Sequence, residues 1–168
     1  MLLHYVYNVK LIHIFFRVFE VVINENDESV QLHKLKLDTS LDTPPTRICF
    51  YNIDKEEFIL CGYGTARLEC LGIVEGAVKK VGKCLQGSEE LQLTSSIQHM
   101  SVAGSTAVVT DFNNQAVAVD LKTNTLISKF PVLSTACITA VALSPDAKNC
   151  VLTYSDQRLA EINVETAK

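Results

Sequence analysis

Four histidines, six cysteines and one pair of adjacent glutamates are the residues of this chain that could bind a metal or move a proton. Their spacing speaks against both. His4, His13, His33 and His99 stand apart, with no H-x-x-x-H or H-E-x-x-H pair to bring two imidazoles onto one metal, and they read as surface or edge side chains. Cys49, Cys61, Cys70, Cys84, Cys137 and Cys150 form no C-x-x-C pair and match no zinc spacing. Cys49, Cys61, Cys70 and Cys150 lie inside apolar runs, where a free thiol behaves as a small hydrophobe. Reduced, buried thiols are therefore expected, which favours an intracellular compartment. Gly62-Tyr63-Gly64 has neither the third glycine nor the following helix of a phosphate cradle. Ser144 and Ser155 lack a G-x-S-x-G elbow, and Glu89-Glu90 reads as a solvated pair. The expectation is no enzyme: no catalytic, cofactor-binding or metal-binding residue, no cofactor and no small-molecule substrate.

The elements that carry these residues are short strands. Residues 138–143 are apolar at alternate positions and stop at Ser144-Pro145-Asp146-Ala147. Proline presets φ for a turn, and aspartate bonds its own backbone two residues on, so this is a turn with a mechanism. A second run at 150–152 stops at Ser155-Asp156-Gln157, and a third, carrying Leu159 and Ile162, closes at Asn163. Val151 lies in the middle strand, where an introduced charge is expected to unfold the unit. Upstream, residues 97–102, 107–110, 117–121 and 126–130 repeat the pattern. Val108 maps onto Val151 with a shift of 43, and Val119-Asp120 falls on Ile162-Asn163 with the same shift. Setting Ile59 on Val108 gives 49. A repeat of roughly 40–50 residues with no helical period is the mark of a propeller.

Further back, Val30, Leu32, Leu35 and Leu37 read as one alternating edge strand whose lysines discourage strand addition. Residues 42–45 form a loop between units, and residues 86–94 a polar linker. Residues 1–23 are the most apolar stretch. His4, Asn8, Lys10, His13, Arg17 and Glu20 interrupt it as a membrane span, and no small-residue cleavage site marks a secretory signal. Residues 1–15 stand apart as an N-terminal segment or strand, and 16–168 divide into units of roughly 16–42, 46–86, 95–131 and 137–168. Net charge is −4, with pI near 5.5, which offers no electrostatic footprint for nucleic acid.

Strand, SPD turn, strand, S-D-x-x turn, and a strand ending on an apolar-polar pair together resemble one blade of a WD-repeat β-propeller. Ile162-Asn163 stands in place of the family's Trp-Asp, and Asp156 in place of its turn aspartate. Pro145, Asp146, Asp156, Asn163 and Asp120 are accordingly the structural blade-turn residues. The fold class expected is all-β: a partial WD-repeat-like propeller of about four blades, each an antiparallel four-stranded sheet. Val117 to Leu121, Ile138 to Pro145 and Tyr154 to Gln157 are similar to the C-terminal blades of the cirhin-like WD-repeat proteins of the small-subunit processome. That resemblance implies a nucleolar scaffold needed for making 18S ribosomal RNA. Its partners would be other processome proteins, with pre-ribosomal RNA contacted indirectly. The alternative is a WD-repeat adaptor of another pathway, such as a ubiquitin-ligase substrate receptor or a vesicle coat. A propeller hydrolase would need acidic residues or histidines clustered at the ring axis, which the strand starts do not supply.

Overall fold

The computed structural model describes residues 3–7, 19–24, 29–37 and 43–168. Among these, fifteen strands and one four-residue helix are assembled into four sheets. The first sheet is an antiparallel meander of β1 (Leu3–Tyr7), β2 (Phe19–Asn24) and β3 (Ser29–Lys34), with Tyr5 opposite Val21 and Val21 opposite Leu32. Residue 16, the expected start of the first unit, lies outside the described residues.

The second sheet contains β4 (Lys36–Leu37), β5 (Arg47–Ile53), β6 (Glu56–Gly62), β7 (Arg67–Val74) and β8 (Ala77–Gln86), ordered β4-β8-β7-β6-β5. The single edge strand expected over residues 30–37 is thus divided between two sheets. β4 pairs parallel with β8, Lys36 opposite Ala77, while β3 stays with the first sheet. The reason is burial. Leu35, at the break, packs with Ile59, Cys61, Tyr63, Leu71 and Val78, and Leu37 packs beside them. Two leucines removed from water outweigh the continuity of a flat, solvated edge. Asp54-Lys55 and Glu75-Gly76 close two of the hairpins with left-handed φ at both positions (51° and 73°, 52° and 73°), the two-residue turn whose twist suits paired strands.

The third sheet follows the short helix α1 (Gly87–Glu90). It comprises β9 (Ile97–Ala103), β10 (Thr106–Asp111), β11 (Ala116–Asp120) and β12 (Thr125–Lys129). The fourth comprises β13 (Ile138–Leu143), β14 (Asn149–Tyr154) and β15 (Leu159–Asn163). Only the third sheet has the four-strand order expected of every unit. The second gains β4, and the first and fourth have three strands each. The segment expected as a polar linker is not wholly polar in role: Leu91 and Leu93 are fully buried between the second and third sheets. Two leucines among polar neighbours carry no periodicity, so local pattern cannot reveal a wedge.

The core lies in the spaces between sheets. Ala107, Val109, Val117 and Val119 of the third sheet, with Ile97 of the same sheet, pack against Leu60, Leu68 and Leu91 on one side. Val108, Ala116 and Ala118 face Phe130, Ile138, Cys150, Leu152, Tyr154 and Ile162 on the other. Alternate residues of β10 and β11 therefore serve opposite interfaces, which is why T-A-V-V-T-D and A-V-A-V-D are nearly continuous in apolar residues and buried on both faces. Each fully buried valine or leucine contributes roughly 1.5–3 kcal/mol. β14 differs, with every second residue buried. Val151 sits half-buried on the side away from the core, and Leu152 takes the core position, contrary to the expectation that a charge at Val151 would unfold the unit.

The repeat is visible in the backbone. β10 and β14 are related by a shift of 43, as are β11 and β15. Left-handed residues recur at the same interval: Gly104 and Ala147, Asn114 and Gln157, Asn124 and Ala167.

Candidate interaction surface

The turns between strands carry most of the polar chemistry of the third and fourth sheets. Asp111, at the end of β10, is fully buried, and its carboxylate accepts four backbone N–H groups. Thr94 and Ser95 donate to Oδ2 at 3.0 and 3.1 Å; Asn113 and Gln115 donate to Oδ1 at 2.9 Å each. Asn113 Nδ2 adds a bond to Thr94 Oγ1, and Phe112 N–H donates to the Ser96 carbonyl at 3.2 Å. The turn is thus fastened to the loop that leads into its own sheet, with Phe112 held 60% exposed at its tip.

The next sheet repeats the device with other side chains. Asp156 accepts from Arg158 Nε at 2.6 Å and from Ser134 Oγ at 3.3 Å, and Ser134 Oγ accepts from Ala136 N–H at 3.0 Å. Ser155 N–H donates to the Cys137 carbonyl. The Arg158 hydrogen bond holds the Asp156 carboxyl below its ordinary range. The loop of residues 130–137 is fixed by these contacts and exposes Val132 and Leu133. Because strands alternate direction, the β10–β11 turn, the β12–β13 loop and the β14–β15 turn all lie at one end of the two sheets. That end presents apolar side chains on hydrogen-bonded supports.

The remaining turn residues have related roles. Asp120 Oδ1 accepts the N–H groups of Lys122 and Thr123 (2.8 and 3.3 Å), and Asn163 Oδ1 accepts the backbone N–H and the hydroxyl O–H of Thr166 (3.0 and 3.1 Å). Pro145 is exposed at the turn where Ala147 N–H donates to the Ser144 carbonyl at 2.9 Å. Asp146 Oδ1 accepts from Ser144 Oγ at 2.6 Å and Lys148 N–H at 3.1 Å, and the Ser144 bond in particular lowers its pKa.

Inner strands are joined by side chains that reach a neighbouring backbone. Thr46 Oγ1 donates to the Ile97 carbonyl at 3.2 Å, and Cys49 Sγ to the Met100 carbonyl at 3.6 Å. One sheet on, His99 Nε2 bonds the Ile138 carbonyl at 3.2 Å, and Leu143 N–H donates to Ser101 Oγ at 3.0 Å. His99 is therefore a link between sheets, where burial lowers its pKa. His33 is exposed and bonds Gln31; the side chains of His4 and His13 lie outside the described residues.

The other candidates for chemistry are also structural. Ser144 belongs to its turn, and Ser155 contributes its backbone to the loop before β13. A Cβ on Gly62 would meet Ile97 at 2.7 Å, so this glycine permits close approach of two sheets. Cys49, Cys61, Cys70, Cys137 and Cys150 stand outside any disulfide; burial pushes Cys61 and Cys150 up to about 12. Among the described residues no group of three His, Cys, Asp or Glu could hold a metal ion, and no helix is long and apolar enough to cross a membrane. Sequence reasoning missed Asp111 and the buried Glu69, which accepts from Tyr63 Oη at 2.8 Å and pairs with Lys80. Asp111 does carry a signal, an aspartate closing an apolar run just before Asn-Asn.

No family model matches the sequence, and no curated protein is similar enough to count as a relative. Solved structures do resemble it. A chain of the mitotic checkpoint complex superimposes with a TM-score of 0.59 at 11% identity, covering 91% of this chain and 45% of its own. The β-propeller domain of Cps50 (Swd1) from Myceliophteria thermophila superimposes with a TM-score of 0.55 at 13% identity, covering 72% of this chain and 36% of its own. The chain spans less than half the length of either. Its fold is that of a partial WD-repeat-like β-propeller.

Proposed function

We propose that this protein is a non-enzymatic propeller scaffold that holds other proteins together through the turn end of its third and fourth sheets. The observation that carries this reading is the exposure of Phe112, Val132 and Leu133 on loops fastened from beneath by Asp111, Ser134 and Asp156. Large apolar side chains on rigid supports lose little entropy on binding and gain the burial of their surface. The assembly served, in this reading, is the nucleolar small-subunit processome, acting in pre-18S ribosomal RNA processing. The sequence similarity of residues 117–121, 138–145 and 154–157 to cirhin-like blades supports that assignment. With a net charge of −4, RNA is reached through partners.

Affinity purification of the tagged protein from nuclear extract tests the proposal. Recovery of processome proteins with pre-18S RNA is the expected result. A ubiquitin-ligase or coat complex in their place would retain the scaffold and reject the processome, and recovery of no protein at all would reject both.

A further inference from the structure

We infer that a cleft between the second and third sheets receives an arginine side chain from an extended, basic peptide segment of a partner protein. The cleft lies by the β5–β6 and β11–β12 turns, at the opposite end of the strands from Phe112, and is independent of the surface proposed above.

The cleft encloses about 240 Å³. One wall is the face of the second sheet that turns toward the third. There Tyr51 of β5 stands opposite Phe58 of β6, their rings stacked with centroids 5.3 Å apart and planes at 21°. Next in register comes Gly72 of β7, where a Cβ would meet Val81 at 2.6 Å and Phe58 at 3.6 Å. The missing side chain thus lets Phe58 and Val81 draw together into one apolar surface. Gly82, left-handed at φ 74°, stands against Asn124, whose amide nitrogen would lie 2.5 Å from a Cβ there. Asn124 and Leu121, from the β11–β12 turn, supply the other wall.

The mouth carries Asp54, Glu56 and Lys122. Lys122 Nζ is 2.9 Å from Asp54 Oδ2, so these two charges offset each other. Glu56 is exposed and has no ion-pair or hydrogen-bond partner among the described residues. An aromatic, apolar recess with one uncompensated carboxylate at its rim is complementary to a cation on an apolar stem. Arginine fits this better than lysine, because its planar, weakly hydrated guanidinium stacks on ring faces and meets a carboxylate with paired N–H groups. The chain already holds a filled version of the arrangement at the other end of the same sheet. The Arg67 guanidinium carbon lies 3.9 Å from the centroid of the Tyr63 ring, and Tyr63 Oη donates to Glu69 at 2.8 Å.

The surroundings extend the site in both directions. One adjoining hollow shares Glu56 and Phe58 and adds Glu57 and Glu75, and another, past the ion pair, reaches Gly104 and Ser105. Adjoining recesses on either side of the arginine site suit an extended segment. Among the described residues that line them, four carboxylates face two ammonium groups, which favours a basic segment over an acidic one.

The test is a titration of the isotope-labelled full chain, followed by amide chemical shifts, with the capped pentapeptide glycine-valine-arginine-valine-glycine. The same peptide with neutral citrulline in place of arginine is the comparison. The arginine peptide is expected to move the amides of Glu56, Val81 and Asn124, and citrulline to weaken binding on the order of tenfold. Glu56→Gln should weaken the arginine peptide by a similar factor. Val81→Lys, at a position 36% exposed, should abolish binding by placing a cation in the cleft. Glu56→Gln, on the exposed rim, serves alone if Val81→Lys fails to fold. Phe112→Ser should leave the titration unchanged. No shift at these amides in folded wild type up to about 5 mM peptide would overturn the inference while leaving the scaffold reading in place. Equal affinity for the citrulline peptide, or binding indifferent to the cleft variants, would overturn it too.

Discussion

Asp111 Oδ2 and the backbone nitrogen of Thr94 are 3.0 Å apart, and this bond ties the approach to the third sheet to the turn in that sheet's middle. With Ser95, Asn113 and Gln115 on the same carboxylate, a fully buried side chain holds together two loops that share no strand pairing. Asp111→Ala would leave four N–H groups without their acceptor and is expected to cost about 3 kcal/mol or more. Asp111→Asn, which retains one acceptor oxygen, should cost less. Urea unfolding of the three proteins checks the order, and equal midpoints would refute the role.

β14 presents neighbouring residues to opposite environments. Leu152 is 1% exposed among Phe130, Ile138 and Ile162, and Leu152→Ala is expected to lose about 2–5 kcal/mol. Val151→Asp, half-buried on the side away from the core, is expected to lose under about 1 kcal/mol. Thermal melts of both variants decide this, and the reverse order would mean that the strand register is wrong by one residue.

Ala147 is held at φ 58°, where Gly104 stands at φ 55° in the preceding sheet. A β-carbon is penalised in this region and glycine is not, so Ala147→Gly should raise stability by about 0.5–1 kcal/mol net of the entropy glycine adds to the unfolded chain. Differential scanning calorimetry would register the gain as a higher Tm, and a lower Tm would contradict the turn geometry.

These comparisons show which parts of the fold were legible in the residues. The 43-residue shift relating Val108 to Val151 could be read directly, because turn residues such as Pro145, Asp146 and Asp120 act through their own neighbours. The roles of Asp111, Leu91 and Leu93 could not, since their partners lie in other loops and sheets. Leu35, expected inside one strand, stands at the break between two for the same reason: alternation shows that a leucine faces a core, and not which of two sheets supplies that core. Val151 was misplaced because one strand's alternation does not say which of its faces is covered. The apolar turn residues Phe112, Val132 and Leu133 have no periodic pattern, and only their exposure marks them.

His99 supplies the pH dependence. Burial lowers its pKa from the ordinary value of 6.5, so the unfolded chain binds its proton more readily than the folded one. The stability tied to neutral His99 is whole above 6.5 and is lost as pH falls through the lower folded value. Wild type should therefore weaken as pH falls below 6.5. His99→Gln, which can still donate to the Ile138 carbonyl but does not titrate, should show a flatter profile in urea unfolding at each pH. Identical slopes would remove His99 from the account.

The most direct measurement of the central claim is quantitative mass spectrometry of proteins retained by the tagged chain, comparing wild type with a Phe112→Ser, Leu133→Ser double variant. Both substituted positions are exposed, at 60% and 46%, so the fold should survive. The account predicts that the variant keeps its circular dichroism and melting temperature and loses on the order of ten- to a hundredfold of the proteins held by wild type. Undiminished retention by a folded variant would contradict it.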